Sequence, residues 1–140
     1  MVIYSIRDAI IMNTKNKSLL AQCPAKTAKV ALSVFFNITQ AWGVKADEQR
    51  ILLGSPATST LFKWKKGEAS KISVDTLERI SYIMGIYKAL GILFPTREQA
   101  DSWVKKANRD FDGQTALSFM LKGSMVNLSD TRRYLDAQRG

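Results

Sequence analysis

The chain contains no histidine and a single cysteine, Cys23. Without histidine, Ser-His-Asp and Cys-His catalysis are excluded, and so are His-ligated metal sites. One cysteine allows neither an internal disulfide nor a Cys-rich zinc site, and it suits a reducing cytoplasm. No apolar run reaches the ~18–20 residues of a membrane span, so no membrane partner is expected. The opening residues carry Arg7 and Asp8, charges where a signal peptide has its apolar stretch. No glycine-rich phosphate loop is present. The common recipes for an enzyme are therefore missing, and no catalytic residue, metal or cofactor is expected.

What is present is ordinary globular material: 140 residues, 46% hydrophobic and 24% charged. That length suffices for one domain, or for two small helical units sharing a core, without covalent staples. The net charge is +9. Ten basic and three acidic side chains leave +7 on residues 1–66, whereas eleven and nine leave +2 on residues 67–140. A basic excess in one half fits a nucleic acid, an acidic protein surface, or simply a well-solvated face.

Residues 1–22 form a weakly patterned arm with a polar stretch from Asn13 to Ser18. Val2-Ile3-Tyr4 is too short an apolar run to define a strand. From Pro24, suited to a first helical turn, the pattern turns helical. Ala28, Ala31, Leu32, Phe35, Ile38 and Trp42 share one face, and Gly43 ends the helix. A short helix follows, opened by Asp47-Glu48, ending at Leu53 and closed by Gly54. Ser55 and Pro56 suit the cap and first position of the next helix, which Gly67 stops. Ser73 caps a long helix with a stripe of Leu77, Ile80, Ile83, Met84, Tyr87 and Leu90, ended by Pro95. Thr96 and Gln99 have capping-box spacing, opening a helix that fades near Asn108. Thr115 caps another, which ends at Gly123. A last helix covers about 126–137, with Leu128 and Leu135 inward. The fold class is all-α, with about seven helices.

The short helix, tight turn and second helix make a helix-turn-helix candidate. In its second helix Ala57, Leu61 and Trp64 are expected to face the core, and the period favours a core position for Phe62 too. Thr58, Ser59, Thr60, Lys63 and Lys66 are left on or near the outer face, flanked by Lys65 and Lys71. Hydroxyls bond base edges and lysines reach guanine or phosphate, so these seven are the DNA-binding candidates. A lysine-rich helix end is equally what the macrodipole favours on any surface.

The run from Gly54-Ser55-Pro56-Ala57-Thr58-Ser59-Thr60-Leu61 through Trp64 to Gly67 resembles the Xre-type helix-turn-helix. So does its continuation, Ile72-Ser73 with Thr76-Leu77, Arg79-Ile80 and Gly85-Ile86. A second set resembles the toxin-binding domain of antitoxins grouped under Xre, MbcA and ParS. It comprises Leu93-Phe94-Pro95, Ala100-Asp101, Trp103-Val104, Asn108, Phe111, Gly113, Thr115-Ala116-Leu117 and the terminal 132–137 helix. Ala107 and Ala116 stand where that pattern has proline. The resemblances divide the chain into the arm, a helix-turn-helix region at 23–90 and a toxin-binding domain at 91–140.

Read bottom-up, Trp103, Phe111, Phe119 and Leu121 are core residues, and Asp101, Asp110 and Asp112 are solvated carboxylates without calcium-loop spacing. The resemblance implies an antitoxin whose C-terminal helix lies against a toxin and obstructs its active site. It makes Arg132, Arg133, Tyr134, Asp136 and Arg139 the toxin-contact candidates. It also implies a cognate toxin with a RES-type, NAD-consuming fold, and repression of the protein's own operon by binding operator DNA. A homodimer is expected there, since one recognition helix reads only a half-site; the 73–91 helix is either its surface or part of the core. The competing readings are a stand-alone helix-turn-helix regulator without a toxin, and an adaptor that binds protein only.

Overall fold

Seven α-helices and one 3-10 turn account for the described chain, residues 24–69 and 71–140 of a computed structural model. The arm at 1–22 and Cys23 lie outside the described residues. The helices are α1 (Pro24–Ala41), α2 (Ala46–Leu52), α3 (Thr58–Lys65), α4 (Val74–Leu93), α5 (Arg97–Trp103), α6 (Ala116–Met120) and α7 (Met125–Gln138). The 3-10 turn, Arg109–Phe111, lies between α5 and α6. Among the described residues there is no strand, only a bridge between Ala107 and Thr115. None of these helices is long and apolar enough to cross a membrane.

The caps explain most boundaries. Ser73, Thr96 and Thr115 accept a hydrogen bond from the backbone N–H of Thr76, Gln99 and Ser118 respectively. Each thereby satisfies an N–H that has no partner within its helix. At α2 it is the carboxylate of Glu48 that reaches back, accepting from the Lys45 N–H at 2.9 Å. One expectation fails at α3. Ser55 does not cap it; Ser55 sits at φ 61° as the chain leaves α2, and the N-cap is Ala57, which has no side-chain cap bond. Helix α5 also stops sooner than its pattern suggests, at Trp103, and the chain reaches α6 through the 3-10 turn.

Helix α4 is the central element. It packs most extensively against α7, then α1, then α5. Besides the expected Ile80, Ile83, Met84 and Leu90, it buries Gly85, Ile86 and Ala89. A helix apolar on most sides is one surrounded by others, so α4 belongs to the shared core. The five α1 positions expected inward are all buried, as is Trp42 just after the helix, and they share one hydrophobic cluster with Leu117, Met120, Leu128 and Leu135 from the C-terminal helices.

Cationic side chains fasten the outer elements. Arg79, 9% exposed, pairs with Asp75 at 3.0 Å and donates to the Gly123 carbonyl at 2.9 Å, just before α7. Lys105 Nζ donates to the Gly43 carbonyl at 2.7 Å, joining the α5 end to the α1 end. The Arg132 guanidinium of α7 lies on Gly85, where a Cβ would collide with it.

Candidate nucleic-acid and partner-binding surfaces

The α2–α3 turn is held from three directions. Arg50 donates to the Pro56 carbonyl at 3.0 Å. The Thr76 hydroxyl donates to the Leu53 carbonyl at 3.4 Å. Gly54, at φ 94°, has Asp75 and Arg79 where a Cβ would point. A side chain there would meet both strain and the ion pair. The turn thus fixes α3 against α4.

On α3 each residue advances 100°. Leu61 is buried, with Trp64 and Thr60 half-buried beside it. Thr58, Ser59, Lys63, Lys65 and Lys66 are exposed, and so is Lys71 beyond the helix. The helical rotation gathers Ser59, Lys63 and Lys66 on the outward side. It sets Lys65 apart: its ammonium lies 5.8 Å from the Phe36 ring centroid, towards α1. Among the described residues, none of Lys63, Lys65, Lys66 and Lys71 forms an ion pair.

Two inward expectations are corrected. Ala57 is exposed, because it is the N-cap and not an interior helical residue. Phe62 is 53% exposed. Leu61 and Trp64 already occupy the inward arc, and Phe62 lies 100° away from Leu61. The spacing sets Phe62 and Leu61 on different sides of α3, but only the burial of Leu61 decides which side faces inward.

The C-terminal unit presents a different surface. Trp103, Phe111, Phe119 and Tyr134 form a half-buried aromatic cluster. Trp103 stacks on Tyr134 with centroids 6.2 Å apart, and Phe111 meets Phe119 edge-on at 5.4 Å and Tyr134 at 5.2 Å. The Tyr134 hydroxyl donates to Asp110 at 2.7 Å. That hydrogen bond, aided by burial, raises the phenol above its ordinary pKa. The cluster backs an open cavity of about 260 Å³ lined also by Asp112, Asp130 and Lys122. Among the described residues no His/Cys/Asp/Glu group has the arrangement to hold a metal. Asp101 pairs with Arg97 at 3.0 Å.

The five candidate contacts on and after α7 separate. Tyr134 is tied into the aromatic cluster, and Arg132 is seated on Gly85. Asp136 lies between two arginines, Arg132 at 3.6 Å and Arg139 at 3.4 Å. Arg133 points outward, its side chain 79% exposed and only loosely paired with Asp130 at 3.7 Å. Ala116 occupies the first position of α6, where proline would fit equally well. That explains why losing proline there leaves the local structure intact.

Comparison with known proteins adds two matches. Residues 26–85 match the family model for the antitoxin Xre-like helix-turn-helix domain. Residues 89–140 match the model for the antitoxin Xre/MbcA/ParS C-terminal toxin-binding domain. The junction between them falls inside α4, so a continuous helix and no linker joins the two units. The chain is also similar to an uncharacterized protein, y4oB, of Sinorhizobium fredii (strain NBRC 101917 / NGR234). The two are 50% identical over 109 residues, which is 78% of this chain and 84% of that protein.

Proposed function

Because the chain belongs to the Xre/MbcA/ParS antitoxins, we propose that it serves as the antitoxin of a type II toxin–antitoxin pair and represses its own operon. The observation that carries this reading is the order of the two matched units along one rigid axis. The outward cations of α3 lie in the first unit and the solvent-facing side of α7 in the second. The chain supplies no chemistry. It acts by occupancy: the end of α7 blocks the active site of a cognate toxin of RES or related NAD-consuming fold, in the cytoplasm.

The structure sharpens which side chains to test. Arg133 is free to engage carboxylates or carbonyls of the partner, which a guanidinium grips with two parallel bonds. Asp136 and Arg139 flank it near the chain end. Arg132 and Tyr134 act indirectly, by holding α7 on α4 and on the aromatic cluster. For DNA, Ser59, Lys63 and Lys66 face the groove, with Lys65, Lys71, Thr58 and Thr60 at the margins. A homodimer places two α3 helices on a palindromic operator.

The test is a pull-down from the native cell with the tag on the N-terminus, which leaves α7 free. The recovered partner is separated under denaturing conditions, refolded and assayed for NAD consumption. A stoichiometric partner that consumes NAD only when freed is the expected result. A partner without that activity replaces the toxin class. Recovery of DNA with no protein partner overturns the antitoxin reading in favour of a stand-alone regulator.

A further inference from the structure

The outward side of α3 is not wholly polar. Phe62, 53% exposed, lies on it between Ser59, three residues before, and Lys66, four residues after, with Lys63 alongside. Rotating α3 to bury Phe62 would expose Leu61, which is only 2% exposed. The ring is therefore held outward by the packing of its neighbour. Its collar is cationic, and neither Lys63 nor Lys66 forms an ion pair among the described residues. A partner that covers this face has to supply anions at the rim and an apolar group at the centre. The DNA major groove does both. Its rims are phosphates, it admits an α-helix, and the thymine 5-methyl is the apolar group on its floor.

We propose that Phe62 reads thymine methyl groups in the operator, so that α3 recognises its site partly by apolar contact. The inference rests on the DNA-binding reading above and adds a specificity-determining residue to it. Lys63 and Lys66 hold the helix to the phosphate backbone, contacts that tolerate many sequences. Phe62 favours a thymine at its position, because only there does the ring bury a methyl group.

The probe is the DNA immediately upstream of the coding sequence, amplified once with dTTP and once with dUTP. Uracil keeps every pairing edge of thymine and lacks only the methyl. Binding is measured by anisotropy at fixed salt for the wild type, Phe62→Ala and Lys63→Ala. The wild type is expected to prefer the thymine fragment by about fourfold per contacted methyl, the value of burying one such group. Phe62→Ala is expected to bind both fragments equally and more weakly, and to stay folded with at most a small loss of thermal stability because only about half of the residue is covered. Lys63→Ala is expected to weaken both and leave their ratio intact. The proposal is overturned if the wild type binds both fragments alike, or if Phe62→Ala keeps the preference. It is equally overturned if Phe62→Ala leaves DNA binding untouched and instead loses the protein partner. Binding without discrimination removes this inference alone, whereas no binding to either fragment removes the DNA-binding reading with it.

Discussion

Tyr134 and Arg132 look from the sequence like a polar patch on a terminal helix. In the fold the Tyr134 hydroxyl is bonded to Asp110 and the Arg132 guanidinium lies on Gly85. Tyr134→Phe removes the hydrogen bond to Asp110 and is expected to cost about 0.5–1 kcal/mol at neutral pH. The sign of its pH dependence follows from the raised phenol pKa. The neutral hydroxyl is the form the fold favours, so its contribution is complete below the ordinary tyrosine range. It is lost as pH rises through the higher folded value. Urea unfolding should show the wild-type advantage over Tyr134→Phe shrinking between about pH 9 and pH 12. An undiminished advantage would mean that another interaction supplies it. Gly85 offers a second residue-scale test. A methyl there collides with the Arg132 guanidinium, yet alanine is a better helix former by about 1 kcal/mol. Gly85→Ala should stabilise the Arg132→Ala protein by about that amount, and the wild type by clearly less. Equal gains in both backgrounds would show that Arg132 does not sit on Gly85.

At the scale of elements, α3 and α7 carry the two proposed surfaces, and their inward residues set how each can be tested. Leu61→Ala is expected to cost about 3 kcal/mol in urea unfolding and to loosen α3, whereas Phe62→Ala, at a half-exposed position, should cost clearly less. Similar losses for the two would place Phe62 in the core after all. Removing everything from Leu128 onward is not a clean way to delete toxin binding. That cut takes away Leu128, Thr131 and Leu135, all buried, from the helix packed most extensively on α4. The truncated chain is expected to lose its folded circular dichroism signal and both binding activities. Arg133→Glu is the appropriate substitution: it should weaken the partner complex and leave thermal stability and DNA binding as they were. Loss of DNA binding along with partner binding would show that the two surfaces are not separable. Stripes and caps made these helices legible. Thr96 with Gln99, Thr115 with Ser118, and the α1 stripe are local relations of three or four residues, and local relations survive in the sequence. The α3 entry was legible only to within about two residues, and its cap was not. Ser55 has the side chain of a cap, but the positive φ at Ser55 and the bonds of Arg50 and Thr76 to the turn decide where α3 begins.

At the scale of the whole molecule, α4 runs unbroken across the junction of the two matched units. Its first turn holds the α2–α3 turn through Thr76, Arg79 reaches Gly123 before α7, and the rest carries α7, α1 and α5. Trp42 reports on the first unit and Trp103 on the second. Thermal unfolding followed separately by each, in variants with the other tryptophans replaced by phenylalanine, is expected to coincide. Two separated transitions would show that α4 does not couple them. DNA affinity is expected to fall steeply with salt, and Lys63→Ala to lower the slope of log affinity against log salt by about one. An unchanged slope would remove Lys63 from the phosphate contacts.

The sequence by itself determined the helical class, the order of the elements, the inward stripes of α1 and α4, and the uneven distribution of charge. All of these are composition or short-range periodicity. Its motifs also carried the resemblance to the two antitoxin domains. Tertiary structure alone decided which polar residues remain available. Arg79 and Tyr134 bond to Gly123 and Asp110, 44 and 24 residues away in the chain, and Arg132 packs on Gly85, 47 residues away. Phe62 is left in solvent because Leu61 and Trp64 fill the inward side of α3. A side chain's partner across the core has no fixed spacing along the chain, so neither its engagement nor its freedom can be read from the sequence.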